Sequence, residues 1–220
     1  MFSASDYVVW LESSFFSAYV FFLGFKLGLI RRFRFLHLYL LCAVCVSLLE
    51  VLVLCVFGLK SSTYLHCYAY SELLLAMALY LVIVELYRLN LPRNIWRHSW
   101  PIFVAIPALL MSLSVVAARE SGINRLFHFS IVLSDDAFLA SLALTFLLWV
   151  ISCTSGSSGG ISARMIQAWG MYFLLFVMVY CVRQLSPFYL YYAMTIASLN
   201  AAWLPVALGY AMVNGLEFGV

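Results

Sequence analysis

Apolar residues run along this chain in long blocks interrupted by short charged or Gly-, Pro- and Ser-rich stretches. The interruptions divide it into seven apolar segments, near 7–30, 35–58, 65–88, 101–118, 130–152, 166–184 and 188–212. Each predicts a helix, because a backbone in hydrocarbon must satisfy its own hydrogen bonds and about 20 apolar residues cross a core of about 30 Å. The ten-residue alternation of a membrane β-barrel is missing. The clearest predicted loops are RRFRF after the first segment, RLNLPRNIWRHSW after the third and TSGSSGG after the fifth. The expected fold is all-α: a polytopic membrane bundle of seven transmembrane helices forming one domain over residues 1–220.

Composition sharpens the class. Of 220 residues, 66% are hydrophobic and only 10% charged, and the mean hydropathy of +1.04 lies far outside the range of soluble domains. The first segment lacks a basic n-region and a small-residue cleavage site, so it reads as a span and not as a signal peptide. A formal charge of +3, spread over loops, gives no support for nucleic-acid binding. Cys42 and Cys45 lie in an apolar run and read as packing residues. Counting the basic residues of alternate loops places Lys26, Arg31, Arg32, Arg34, Arg88, Arg93, Arg97 and Arg164 on one side. Lys60, Arg119, Arg125 and Arg183 fall on the other. Eight against four of the 12 predicts an outside N-terminus and a cytoplasmic C-terminus.

The chemistry of interest is the set of ionisable residues inside the spans, which normally face protein or water. With that topology Glu12, Glu72, Asp135 and Asp136 lie one or two turns below the outer surface, Glu50 just beyond the midplane, and Arg183 at the outer end of its span. Helical spacing puts Ala43, Ser47 and Glu50 on one stripe, Ala69, Glu72 and Ala76 on another, and Asp136, Ala140 and Ala143 on a third. Asn200 joins Ala193, Ala197 and Ala201 on a small-residue face of the last span, and Gly24 and Gly28 form a small-xxx-small pair. So many carboxylates at one depth call for protons, cations or the Arg183 guanidinium as counter-charge. Two readings stay open: a site for a proton, a cation or an amine-bearing ligand, or a set of interhelical hydrogen bonds beside an aqueous vestibule. Glu85 reads as a surface ion pair with Arg88, three residues on.

Known chemistries find little purchase. Four histidines fall near the segment ends, His66 and His128 at one surface and His37 and His98 at the other, which suits interfacial polar residues better than haem ligands. Metal ligation by His66 with Glu72 or Asp135 has no recognised spacing. The last span has no lysine for a retinal Schiff base and no Asn-Pro-x-x-Tyr. Pro107 and Pro205 predict kinks whose freed carbonyls need partners on neighbouring helices. No nucleophile elbow, phosphate loop or metalloprotease motif occurs.

The segments RRFRFLHLYL and VIVELYRL resemble those of a family of small bacterial seven-span membrane proteins without assigned function. There an Arg-Arg-Phe turn leads into the second span and Glu-x-aromatic-Arg closes the third. The resemblance implies a bacterial inner-membrane location and brings no catalytic residues. The expected function is non-enzymatic: an accessory or scaffold subunit of a larger membrane complex, or a module for a lipophilic ligand. Its expected partners are membrane lipids, other membrane subunits or a second copy, with no cofactor or metal beyond bound lipid. The alternatives are a proton- or cation-coupled transporter or channel using the carboxylates, and a membrane sensor acting through a partner.

Overall fold

The computed structural model describes residues 4–58, 61–120, 125–154, 161–185 and 204–214, with side chains described for 14–58, 61–119, 125–154, 161–175 and 204–214. Among them all regular structure is helical. The helices are α1 (Ala4–Lys26), α2 (Arg34–Phe57), α3 (Ser62–Asn90), α4 (Arg93–Glu120), α5 (Arg125–Thr154) and α6 (Ile161–Leu185), then α7 (Leu204–Asn214). A 3₁₀ turn, Leu29–Arg31, follows α1. Four of these, α2 to α5, are long and apolar enough to cross a membrane, which makes the chain compatible with an integral membrane protein.

Local chemistry sets the breaks. Gly28 (φ 67°) and Gly58 (φ 77°) take up the left-handed conformations that end α1 and α2, which a side chain would strain. Gly28 is therefore a turn residue beyond the end of α1, not a partner of the buried Gly24 on one helical face. Helix α3 begins where Ser61 Oγ accepts the Tyr64 N–H at 3.0 Å, an N-cap.

Between α3 and α4 the expected long loop shrinks to Leu91–Pro92. Proline forces extended backbone on Leu91 (φ −85°, ψ 141°). The Pro92 carbonyl then accepts Trp96 N–H at 2.9 Å to start the next helix. RNIWRHSW is accordingly helical, because its charges lie at a helix start that water reaches and do not oppose helix formation. RRFRF likewise reduces to a brief turn before Arg34, and most of TSGSSGG lies outside the described residues.

The described chain groups into two compact units, one comprising residues 1–31 and 145–220, the other 32–144. In the first, α6 approaches the end of α5 where Gly170 faces the Trp149 indole. A Cβ at Gly170 would stand 3.0 Å from Trp149 Cγ, so the missing side chain sets the interhelical distance. Gly209 of α7 similarly faces Val20 and Leu23 of α1.

The second unit is built on the antiparallel α2–α3 hairpin. Helix α3 is the most buried of the four spans; its second half, from Ala76 to Tyr87, packs Leu79, Tyr80, Val82, Ile83 and Leu86 out of solvent. Helices α2 and α4 instead leave large apolar side chains outward, such as Leu48 (67% exposed), Val56 (65%) and Leu109 (59%). In a water-soluble protein such a surface would be an association hazard; against acyl chains it is ordinary.

Candidate functional site

The polar groups of the 32–144 unit fall into two sets: those engaged with backbone and those gathered around carboxylates. In the first set, Glu85 departs furthest from its expected role. It is not a surface partner of Arg88, although Arg88 lies within electrostatic reach. Its side chain is 6% exposed and accepts three backbone N–H groups at the start of α2: Arg34 at 2.8 Å, Phe35 at 3.0 Å and Leu36 at 3.3 Å.

The first N–H groups of a helix have no intrahelical acceptor, and Phe33, at the N-cap position of α2, offers no side-chain bond. Glu85 therefore caps a neighbouring helix across about 50 residues of sequence, with its negative charge at the positive end of that helix's dipole. His37, expected at an interface, is also buried (3% exposed). Its Nδ1 donates to the Phe33 carbonyl at 2.6 Å.

Two tyrosine hydroxyls of α3 reach carbonyls inside other helices: Tyr80 donates to Phe103 of α4 at 2.8 Å and Tyr87 to Leu144 of α5 at 2.7 Å. The first has a specific cause. Pro107 lies inside α4 and has no N–H, so the carbonyl four residues earlier, that of Phe103, loses its helical donor. Tyr80 supplies one. Sequence reading identified the need at Pro107, and the fold identifies the donor. The Phe103 ring packs at 4.9 Å from Tyr87 and 5.3 Å from Trp96, closing the joint with aromatic contacts.

In the second set, Ser71 Oγ donates to Glu50 Oε1 at 2.5 Å, tying α3 to α2. The Tyr68 hydroxyl lies within interaction range of the Glu72 carboxylate, one turn on. Glu72 lies within electrostatic reach of both Glu50 and Asp135. On α4, Ser114 stands 3.5 Å from Asp136 Oδ2.

Glu50 and Asp136 are half-buried, whereas Glu72 and Asp135 are exposed on the chain's own surface. The face of α5 that turns inward carries Ser130, Ser134, Ala137, Ser141 and Thr145. It is not the predicted Asp136–Ala140–Ala143 stripe, of which Ala143 is exposed. The hydroxyls of Ser130 and Ser134 return to carbonyls of their own helix at 2.8 and 2.9 Å, which lets them pack inward without another partner.

The side chain of Arg183, and Asn200, Ala193, Ala197 and Ala201 entirely, lie outside the described residues. His66 turns its Nδ1 to the Ser62 carbonyl at 2.7 Å and its ring onto Phe127 at 5.1 Å. Among the described residues no three His, Cys, Asp or Glu side chains converge on a point that could hold a metal ion.

Sequence reading missed Ser71 and Tyr68 as partners of the acids. The available signal was their spacing, one beside Glu72 and one a turn before it. No family profile, curated protein or solved structure matches this chain.

Proposed function

We propose that this chain is a non-enzymatic membrane subunit that works by binding a neighbouring transmembrane helix, supplied by a partner subunit or a second copy. The observation that carries the reading is the exposure of Glu72 and Asp135. Each lies ten residues into its helix, Ser62–Asn90 and Arg125–Thr154, hence about 15 Å along a helix of about 45 Å and one to two turns inside a core of about 30 Å centred on it. A carboxylate left against lipid there bears part of the cost of about 3 kcal/mol that applies at the core's centre, and a covering helix with polar or basic groups removes it.

The reading includes seven spans, formed by α1, α6 and the segment ending in α7 together with α2 to α5, with the N-terminus outside and the location a bacterial inner membrane. Cysteine introduced at Ser157 is then labelled by a membrane-impermeant thiol reagent only from the cytoplasmic side. Labelling from outside contradicts that topology.

Association is tested by native mass measurement after extraction in mild detergent. The wild type is expected to carry a second chain, and Glu72→Leu with Asp135→Leu to weaken that association at least tenfold while the helical content stays unchanged. A wild-type monomer free of any copurifying chain contradicts the reading.

The proximity of Glu50, Glu72 and Asp135 favours one second reading, a path for protons or cations. It predicts ion-dependent flux in liposomes that Glu50→Gln abolishes; no flux in the wild type disposes of it.

A further inference from the structure

We infer that the end of the 32–144 unit where α2 starts, α3 stops and α4 starts is a binding surface for the phosphate-bearing headgroups of anionic phospholipids. Two features bring these segments together. Glu85 holds the first N–H groups of α2, from Arg34 to Leu36, against the last turns of α3 at 2.8 to 3.3 Å. Only Leu91–Pro92 separates α3 from α4. Arg32, Arg34, Arg88, Arg93 and Arg97 therefore share one end of the unit, and all five are exposed.

These segments supply one negative side chain for the five, with Arg88 within its electrostatic reach. Within residues 31–38 and 85–100 the only acid is Glu85, which is 6% exposed and occupied by three backbone N–H groups. By folding its single carboxylate inward onto α2, this end presents its arginines outward, in excess of the one acid these segments carry.

The apolar residues beside them define the partner as a lipid surface. Ile95 (51% exposed) and Trp100 (54%) lie on either side of Arg97 in sequence, and Trp96 packs its ring on Phe103 of the same helix at 5.3 Å. An exposed indole and an aliphatic side chain beside guanidinium groups suit the boundary between headgroups and acyl chains. Guanidinium groups bind phosphate oxygens through paired, directed hydrogen bonds. The inference is independent of what covers Glu72 and Asp135, since it concerns the other end of the hairpin from the Gly58–Ser61 turn.

The test offers the purified full-length chain phosphatidylglycerol and phosphatidylcholine in equal amounts and measures the lipid retained by native mass spectrometry. Each arginine at an anionic surface is worth about fivefold in affinity. Arg88, Arg93 and Arg97 together are therefore expected to contribute on the order of a hundredfold to the wild type's preference for phosphatidylglycerol. Changing Arg88, Arg93 and Arg97 together to Gln lowers the preference by about that factor, and changing them to Lys keeps the charge but loses the paired hydrogen bonds and so lowers it less.

Equal retention of the two lipids by the wild type overturns the inference whether or not the variants fold. A Gln variant that keeps the full preference overturns it also. Displacement of phosphatidylglycerol by millimolar inorganic phosphate would assign the site to free anions instead of lipid.

Discussion

Replacing Glu85 by alanine is expected to destabilise the protein by about 3 kcal/mol, the largest effect of any single change considered. The variant strips the acceptor from three N–H groups at once. Arg34 is exposed and water replaces the carboxylate there, but Leu36 is 1% exposed, so its N–H is left unpaired at a cost of about 1–3 kcal/mol. Loss of the charge at the dipole's positive end adds up to about 2 kcal/mol.

Glu85→Gln separates these contributions. Its single carbonyl keeps part of the hydrogen bonding without the charge and is expected to cost about half as much. Reversible unfolding in mixed micelles followed by circular dichroism gives the energies, and hydrogen exchange at the amides of Phe35 and Leu36 reports the cap directly. An alanine variant within about 0.5 kcal/mol of wild type, with unchanged protection at those amides, would show that water serves the helix end equally well and would remove the cap from the account.

The second large effect is expected at Tyr80. Hydrogen bonds between membrane helices average only about 0.6 kcal/mol, because the separated helices already satisfy themselves. The Phe103 carbonyl is different, since Pro107 leaves it no donor of its own. Tyr80→Phe should therefore cost about 1.5 kcal/mol, toward the upper end of the range for such bonds. In a Pro107→Ala background the restored N–H takes over, and the same change should fall to about 0.5 kcal/mol. The double-mutant cycle isolates that coupling of about 1 kcal/mol. Additive effects in the cycle would mean that the hydroxyl and the proline act separately.

Both effects concern long-range partners, and here the limit of sequence reading is physical. The breaks at Gly58 and Pro92 were legible because conformational preference is local: φ of 77° at Gly58 and extended backbone at Leu91 follow from residue types. The ends of α2 and α3 fall within three residues of the predicted 35–58 and 65–88. The start of α4 was misjudged by eight residues, at 93 and not 101, because a charged, aromatic stretch was taken to exclude helix when it only excludes the hydrocarbon core.

The candidate site was less legible. Glu50, Glu72, Asp135 and Asp136 stood out by charge alone, yet which of them faces a neighbour depends on helix rotation. Helices apolar on every side, such as VSLLEVLVL within α2, carry no stripe to mark the inward face. Glu85 was assigned to Arg88 because that partner is three residues away, while its actual partners at Arg34 to Leu36 lie about 50 residues distant.

Hydropathy by itself determined that this chain is helical and apolar enough to enter a bilayer, since burying backbone in hydrocarbon admits so few solutions. Gly and Pro chemistry accounts for the stops at Gly58 and before Pro92, but not for Pro101 and Pro107, which lie inside α4. Only the tertiary structure decided that Glu50 meets Ser71, that Glu85 closes the start of α2 and that Tyr80 answers Pro107. Those pairings are set by the register of an antiparallel hairpin and the rotation of each helix about its axis, quantities that no local run of residues encodes.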